Sequence, residues 1–249
     1  MSQVLPRYYF SGEYADLYPK LLTLPHREMH VQPGDLLWKI GEPVTKNYYF
    51  LSGLAQCYVE HEDGHRKNLS FHGAGTIFPG VQKADYKIEK SILLKALTKV
   101  EAVAFDREDF YSLCLEYPPL MARLCEVQSA YINMLIYDSA HQRYNDTFLK
   151  VCNFLFLMVN SKNWGQAHVR SPLDRSTSGQ GNYILPAALS ISQETIADTL
   201  GAGRNHVTQS LSRLRQEGII RLRRCHIEIV DLDRLASYCS LETIKQPLR

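Results

Sequence analysis

The stretch ETIADTLGAGRNHVTQSLSRL, residues 194–214, leaves this part of the chain few architectural choices. Ser192 is a suitable N-cap for a helix opening at Gln193, and Glu194 stands in the first turn, where the helix dipole favours a carboxylate. Ile196, Ala197 and Leu200 supply the apolar face. Gly201-Ala202-Gly203 then stops the helix, with Gly201 where a left-handed residue is needed. A second helix is predicted from Arg204, with Val207, Leu211 and Leu214 turned inward at i, i+4 and i+7. Two short helices joined by a glycine turn make a helix-turn-helix.

The face opposite that stripe carries Asn205, Thr208, Gln209 and Ser212, all small or flexible and polar. A helix entering a major groove needs such side chains, because bulky ones hold the backbone away. Asn and Gln pair bidentately with adenine, while Thr and Ser bond to bases or touch a thymine methyl. Arg204, Arg213 and Arg215 flank the face and suit phosphates, which position a helix without reading sequence. Beyond it, RLRRCHIEIVDL reads as a β-hairpin wing whose Arg221, Arg223 and Arg224 add backbone contacts. The alternative is an amphipathic helix whose polar face meets only water.

The charge distribution agrees with a polyanionic partner at one end. Residues 1–142 hold 14 Lys and Arg against 17 Asp and Glu, whereas residues 143–249 hold 14 against 9. Hydrophobic residues make up 45% and charged residues 22%, a globular mixture that argues against gross disorder. No apolar run approaches the roughly 18 residues of a membrane span, and the opening residues lack a basic and apolar leader. The six cysteines (57, 114, 125, 152, 225 and 239) are scattered without any CxxC spacing. That pattern suits a reducing cytoplasm and argues against a zinc site or a cysteine-ligated cluster.

Residues 29 to about 105 read as short β-type runs punctuated by glycine, with Asp63-Gly64 between two alternating segments as a hairpin signal. Such spacing predicts a β-barrel or roll. A helix begins near DREDFYSLCLEYPPLMARL and is restarted by Pro118 and Pro119. Leu120, Leu124, Val127, Tyr131 and Met134 then recur at steps of 4, 3, 4 and 3, a heptad seam predicted to carry a homodimer. A second stripe, Met121, Cys125, Ile132 and Leu135, lies beside it, and one stripe could cover the β-roll. A single wide core-facing stripe in a monomer is the alternative. A further apolar helix spans Asp146 to about Val159, and a polar loop runs from Ser161 to Asn182. The predicted class is α+β, with an effector-sensing β-roll (1–116), a dimerisation helix (117–142) and a winged helix-turn-helix domain (143–249).

ISQETIADTLGAGRNHVTQSLSRLRQEGII with its basic wing resembles the DNA-binding domain of the cyclic-AMP-receptor-protein/FNR (Crp/Fnr) superfamily of bacterial transcription regulators. PGDLLWKIGEP, YFLSGLAQCY and EDGHRKNLSFHGAGTIFPG are similar to the family's β-roll, and the order of parts is also the family's. The resemblance implies double-stranded DNA as partner, a homodimer, and RNA polymerase as a further partner for an activator. Where members commonly carry Glu and Arg, this chain has Asn205 and Gln209, which implies a different operator.

The effector site departs further. Gly80 stands where cyclic-nucleotide-binding members have a ribose-binding Glu, and Lys90-Ser91 where they have an Arg-Ser pair. Glycine cannot accept ribose hydroxyl protons, which argues against cyclic AMP. The FNR-type N-terminal cysteine cluster is absent, and no metal or cofactor is expected. His61, His65 and His72 leave a haem-dependent relative as an alternative. With 15 tyrosines, including YYF at 8–10 and 48–50, the remaining expectation is an aromatic-lined cavity for an organic effector. Phe78, Gly80, Lys90, Ser91, Tyr131 and Asn133 are its predicted residues, with Lys90 or Lys83 as counter-charge to an acid. Two rivals remain. A metal-dependent enzyme on a cupin-like barrel lacks its ligand spacing, since His61 and His65 are not two residues apart. A dimeric ligand-binding module that does not read DNA has the same pattern as the regulator.

Overall fold

The structure, a computed structural model, describes residues 6–39, 41–80, 92–160, 188–189, 191–223 and 226–244. The chain divides into two compact units, Arg7–Ile136 and the remainder. The first unit contains β1 (Tyr9–Phe10), a one-turn helix α1 (Tyr18–Leu21), β2 (His26–Val31), β3 (Lys46–Ser52), β4 (Ala55–Glu60), β5 (Arg66–His72), β6 (Ile77–Phe78), β7 (Ile92–Ala96) and β8 (Val100–Asp106). They form two four-stranded sheets, ordered β1-β5-β4-β7 and β2-β8-β3-β6. The Asp63-Gly64 turn closes the β4–β5 hairpin, with Glu60 opposite Arg66 and Gly64 at φ +80°.

Strand alternation decides what each sheet face meets. Phe50, Ala102 and Ala104 point between the sheets, in one buried cluster with Cys57, Leu94 and Ala96. Their neighbours Tyr49, Val103 and Phe105 point the other way, into a cluster with Leu21, Phe110 and Leu113. That outer cluster is closed by α2 (Arg107–Glu116) and by the first part of α3 (Pro118–Tyr144). The two helices separate at Tyr117, and Pro118 and Pro119 occupy the first turn of α3, as predicted.

The predicted dimer seam is corrected by this packing. Leu120, Leu124, Val127 and Met134 are buried within the chain itself, the first three against the β2-β8-β3-β6 sheet and α2. Tyr131 packs against both core clusters. The apolar side chains left exposed on α3 are Ile132 (58%), Leu135 (50%) and Ile136 (65%), with Cys125 two turns before them. The heptad spacing is therefore the imprint of the chain's own sheet and α2 on the helix, because a β-sheet and a helix present the same apolar requirement.

The second unit begins with the end of α3 and continues through α4 (Thr147–Asn160), β9 (Ala188–Leu189), α5 (Gln193–Leu200), α6 (Arg204–Gln216), β10 (Ile220–Arg223), β11 (His226–Ile229), α7 (Leu232–Ser237) and α8 (Leu241–Ile244). Strands β10, β11 and β9 form a small antiparallel sheet. Val151, Phe154 and Leu155 of α4 are almost wholly buried, as are Ile196, Val207, Leu211 and Leu214 of the helical pair. The division between units falls inside α3, between Ile136 and Tyr137. Side-chain bonds explain it: the Tyr137 hydroxyl lies 2.6 Å from Thr243 Oγ1, and Gln142 Nε2 donates to the carbonyl of Thr199 at 3.5 Å. No helix among the described residues is long and apolar enough to cross a membrane. The expected loop from 161 to 182 lies outside the described residues.

Candidate functional site

The helical pair is built as its residues require. Ser192 Oγ accepts the Thr195 N–H at 3.0 Å, satisfying a donor at the start of α5. Gly201 ends α5 in the left-handed region (φ +55°, ψ 40°), and Ala202 N–H reaches back to the carbonyl of Ala197 at 3.1 Å. The positive φ favours glycine here, and a Cβ at Gly201 would stand 2.9 Å from Gln142 Oε1, the movable end of a side chain. With Val207, Leu211 and Leu214 at 0% exposure, the opposite side of α6 is forced outward.

That outward side carries Arg204, Asn205, Thr208 and Gln209 exposed, with Ser212 half-buried. Thr208 Oγ1 lies 2.8 Å from Gln193 Oε1 and 2.9 Å from the carbonyl of Arg204, so its methyl rather than its hydroxyl is the freer group. Arg215 and Arg223 are exposed, and Arg224 lies outside the described residues. Arg221 pairs with Glu228 at 3.3 Å across the wing.

Arg213 is exposed but held by its neighbours. Its guanidinium lies 3.9 Å from the ring centre of Phe148 and 5.5 Å from that of Tyr238, and its Nε bonds to Glu217 at 3.0 Å. Those contacts tie α6 to Phe148 of α4 and to Tyr238 at the end of α7. The Arg213 hydrogen bond, with a smaller one from Tyr238, holds the Glu217 carboxyl below its ordinary range. Between the start of α5 and the wing, Ser192, Gln193, Glu194, Arg204, Arg223 and His226 border a depression of about 300 Å³. Its two arginines and the helix N-terminus suit a phosphate, and the Glu194 carboxylate sits at its edge.

A second site lies in the first unit, where Trp38, Phe78, Pro79 and Ile92 face Gln128, Tyr131, Met134 and Leu135 of α3 around a cavity of about 240 Å³. Behind Tyr131 stands His72, at 0% exposure and ringed by Phe10, Phe50 and Phe78. Burial pushes its imidazole down to about 3, so it is neutral. Its Nε2 lies 2.9 Å from Ser70 Oγ and 3.2 Å from the Tyr131 hydroxyl. The same apolar surroundings raise the Tyr131 phenol well above its ordinary value. Gly80, beside Gln128, has φ +95°, and its N–H donates to the fully buried Asn47 Oδ1 at 3.0 Å.

Phe78 and Tyr131 both line this cavity, and Gly80 lies next to Gln128 and Leu124. Asn133 is not among the lining residues; two positions from Tyr131 it sits about 200° round the helix. Lys83, Lys90 and Ser91 lie outside the described residues. The YYF stretches at 8–10 and 48–50 are buried core, and Tyr131 is the tyrosine that lines the cavity among the described residues. Among the described lining residues, the sequence reading missed all but Phe78 and Tyr131, and the polar one on α3 is Gln128. Its spacing of three from Tyr131 and seven from Leu135 on one helix was the available signal. Among the described residues, no group of three His, Cys, Asp or Glu could hold a metal ion. His61 pairs with Asp63 at 3.1 Å and His72 is enclosed by aromatic rings.

Comparison with known proteins agrees with this architecture. Residues 28–117 match the cyclic nucleotide-binding domain model and residues 150–238 the Crp-like helix-turn-helix domain model, together well over half of the chain. A CRP-like cAMP-activated global transcriptional regulator of Mycobacterium tuberculosis is 25% identical over 203 residues, covering 82% of this chain and 84% of that protein. FixK2 from Bradyrhizobium japonicum shares the fold at TM-score 0.67 and 16% identity, over 87% of this chain and 98% of its own. The c-di-GMP responsive global regulator CLP of Xanthomonas campestris has TM-score 0.67 and 14% identity, over 86% and 98%. With a β-roll, a long helix and a winged helix-turn-helix in that order, the chain belongs to the Crp/Fnr superfamily of transcription regulators.

Proposed function

We propose that this regulator binds a near-palindromic operator as a homodimer, under control of a small organic effector rather than cyclic AMP. The observation that carries the DNA reading is the exposed row Arg204, Asn205, Thr208 and Gln209 on a helix whose other side is wholly buried. In a two-fold dimer, two such helices enter successive major grooves about 34 Å apart. Asn205 and Gln209 read bases, with Ser212 at the edge of the row. Arg204, Arg215 and Arg223 hold phosphates, and Arg213 supports the helix from behind. The exposed Ile132, Leu135 and Ile136 supply the pairing face, because three adjacent apolar side chains on one helix suit a second copy of the same helix.

The effector reading rests on the cavity. The M. tuberculosis relative is described as cAMP-activated, but here glycine replaces the carboxylate expected at position 80. No carboxylate lines the cavity among the described residues. Occupancy would favour one pose of α3 over another through Tyr131, Met134 and Leu135, a differential affinity for two states. A polymerase contact would make the protein an activator, and blockage of a promoter a repressor.

The test is selection of genomic fragments on the purified protein at low salt, followed by sequencing. One enriched inverted repeat, with half-sites a helical turn apart, is expected. Arg223→Ala should then lower the slope of log affinity against log salt by about one. Fragments without a common sequence, bound with a shallow salt slope, would favour a ligand-binding dimer that does not read DNA.

A further inference from the structure

The second unit holds a circuit of polar side chains that the DNA reading does not use. The Tyr137 hydroxyl lies 2.6 Å from Thr243 Oγ1, which in turn lies 2.9 Å from Ser240 Oγ. Ser240 N–H donates to Asn153 Oδ1 at 2.9 Å, and its hydroxyl reaches the same oxygen at 3.4 Å. Asn153 Nδ2 faces His141 Nδ1 at 3.3 Å, and Asn145 Nδ2 reaches the same ring nitrogen. The His141 ring then stacks on Tyr137, with centres 3.9 Å apart. The circuit therefore begins and ends on α3, one turn apart, after passing through α8 and α4. Tyr137, Asn153 and Thr243 are buried.

Donor and acceptor chemistry fixes its direction. The Ser240 N–H marks which end of the Asn153 carboxamide is the oxygen, and that oxygen can only accept. Ser240 Oγ therefore donates to it and accepts from Thr243, whose own oxygen accepts from Tyr137. Asn153 Nδ2 can only donate, so His141 Nδ1 carries no proton. Burial holds the His141 imidazole below its ordinary range, against the opposing charges of Glu242 and Asp138, which suits that neutral form. Thr243 is the junction, since its hydroxyl accepts from α3 and donates towards the turn before α8. Two more bonds hold the same end of α3. Lys150 Nζ donates to the carbonyl of Gln142 at 3.0 Å, and Gln142 Nε2 to that of Thr199 on α5 at 3.5 Å.

We propose that Thr243 is a positioning residue: through it α8 clasps the last turns of α3, and the clasp makes the regulator selective for the spacing between operator half-sites. This rests on the homodimer and the operator proposed above. Ile132, Leu135 and Ile136 directly precede Tyr137 in α3, so the pairing face and the clasped turns are consecutive segments of one helix. A helix end free of α4, α5 and α8 would act as a swivel, and each recognition helix would find its half-site separately. With the end held, one added base pair displaces a half-site by about 3.4 Å and about 34°, which opposes simultaneous engagement of both.

The experiment compares the full chain with Thr243→Val and Tyr137→Phe, each of which removes one hydroxyl from the circuit. Affinity is measured for the selected operator, for that operator with one base pair inserted between its half-sites, and for a single half-site. The unaltered chain is expected to lose at least about tenfold on insertion and each variant less than about threefold, with half-site affinity the same in all three. Hydrogen exchange of amides 138–144, measured without DNA, is expected to be about tenfold faster in Thr243→Val, while amides 118–135 keep their rates. Three results would overturn the proposal: an undiminished insertion penalty in both variants, loss of half-site binding along with the penalty, which marks a merely structural role, or unchanged exchange at 138–144. Absence of operator binding by the unaltered chain removes the DNA reading and the spacing role with it. The exchange rates then judge the clasp alone, so the two failures are distinguished.

Discussion

Helices α3 and α6 are both amphipathic, yet their sequences carry different amounts of information. Helix α6 has one apolar stripe, Val207, Leu211 and Leu214, so a single buried side is possible and the opposite residues must face solvent. Helix α3 has two adjoining stripes. Leu120, Leu124 and Val127 meet the sheet, whereas Ile132, Leu135 and Ile136 remain outside. One stripe identifies a face; two stripes leave open which of them the chain itself buries. The geometry of the β-roll then chooses between them.

Substitutions on the two faces of α3 sharpen that contrast most. Leu124→Ala, in the inner stripe, is expected to lower stability by about 2–5 kcal/mol in chemical denaturation, through a cavity beneath the helix. Ile136→Glu, on the outer face, is expected to leave the β-roll folded but to convert dimer to monomer in sedimentation. Retention of the dimer by Ile136→Glu, or its loss in a stably folded Leu124→Ala, would reverse the assignment.

Proton binding probes the inner side alone. His72 is held near 3 by burial against an ordinary value of 6.5, so the unfolded chain takes up a proton that the folded chain refuses. Stability should therefore fall as pH drops from about 6.5 towards 3, by up to about 1.4 kcal/mol per pH unit from this group. His72→Gln should flatten that limb in denaturation at several pH values. An unchanged slope would mean that His72 is not responsible.

The smallest effect is expected on the α6 side. Gly201→Ala should cost about 1–2 kcal/mol, since a left-handed residue acquires a Cβ, with Gln142 forced aside. Thermal melting would detect it, and a neutral result would show that the turn has another conformation.

The same comparison explains what the sequence disclosed. The helix-turn-helix was legible almost residue by residue because Ser192, Gly201 and the Val207 stripe act locally. The β-roll was legible through glycines and alternation, as at Asp63-Gly64. Partnerships distant in the chain were not. Nothing near Arg213 announces Phe148 or Tyr238, and neither tyrosine-rich run discloses that it fills the core rather than the cavity. Asn133, close to Tyr131 in sequence, lies about 200° round the helix from it and does not line the cavity. Gln128, polar at a half-buried position, resembled an ordinary surface residue.

The anchorage of α6 by Arg213 has an evolutionary reading. Phe148, Tyr238 and Glu217 grip the helix through a residue that stands apart from Asn205 and Gln209. Attachment and the proposed base reading are thus encoded at separate positions of one helix. Under that proposal, mutational drift at Asn205 and Gln209 moves the regulator to new promoters while leaving its folding untouched, and two codons suffice to rewire a regulon.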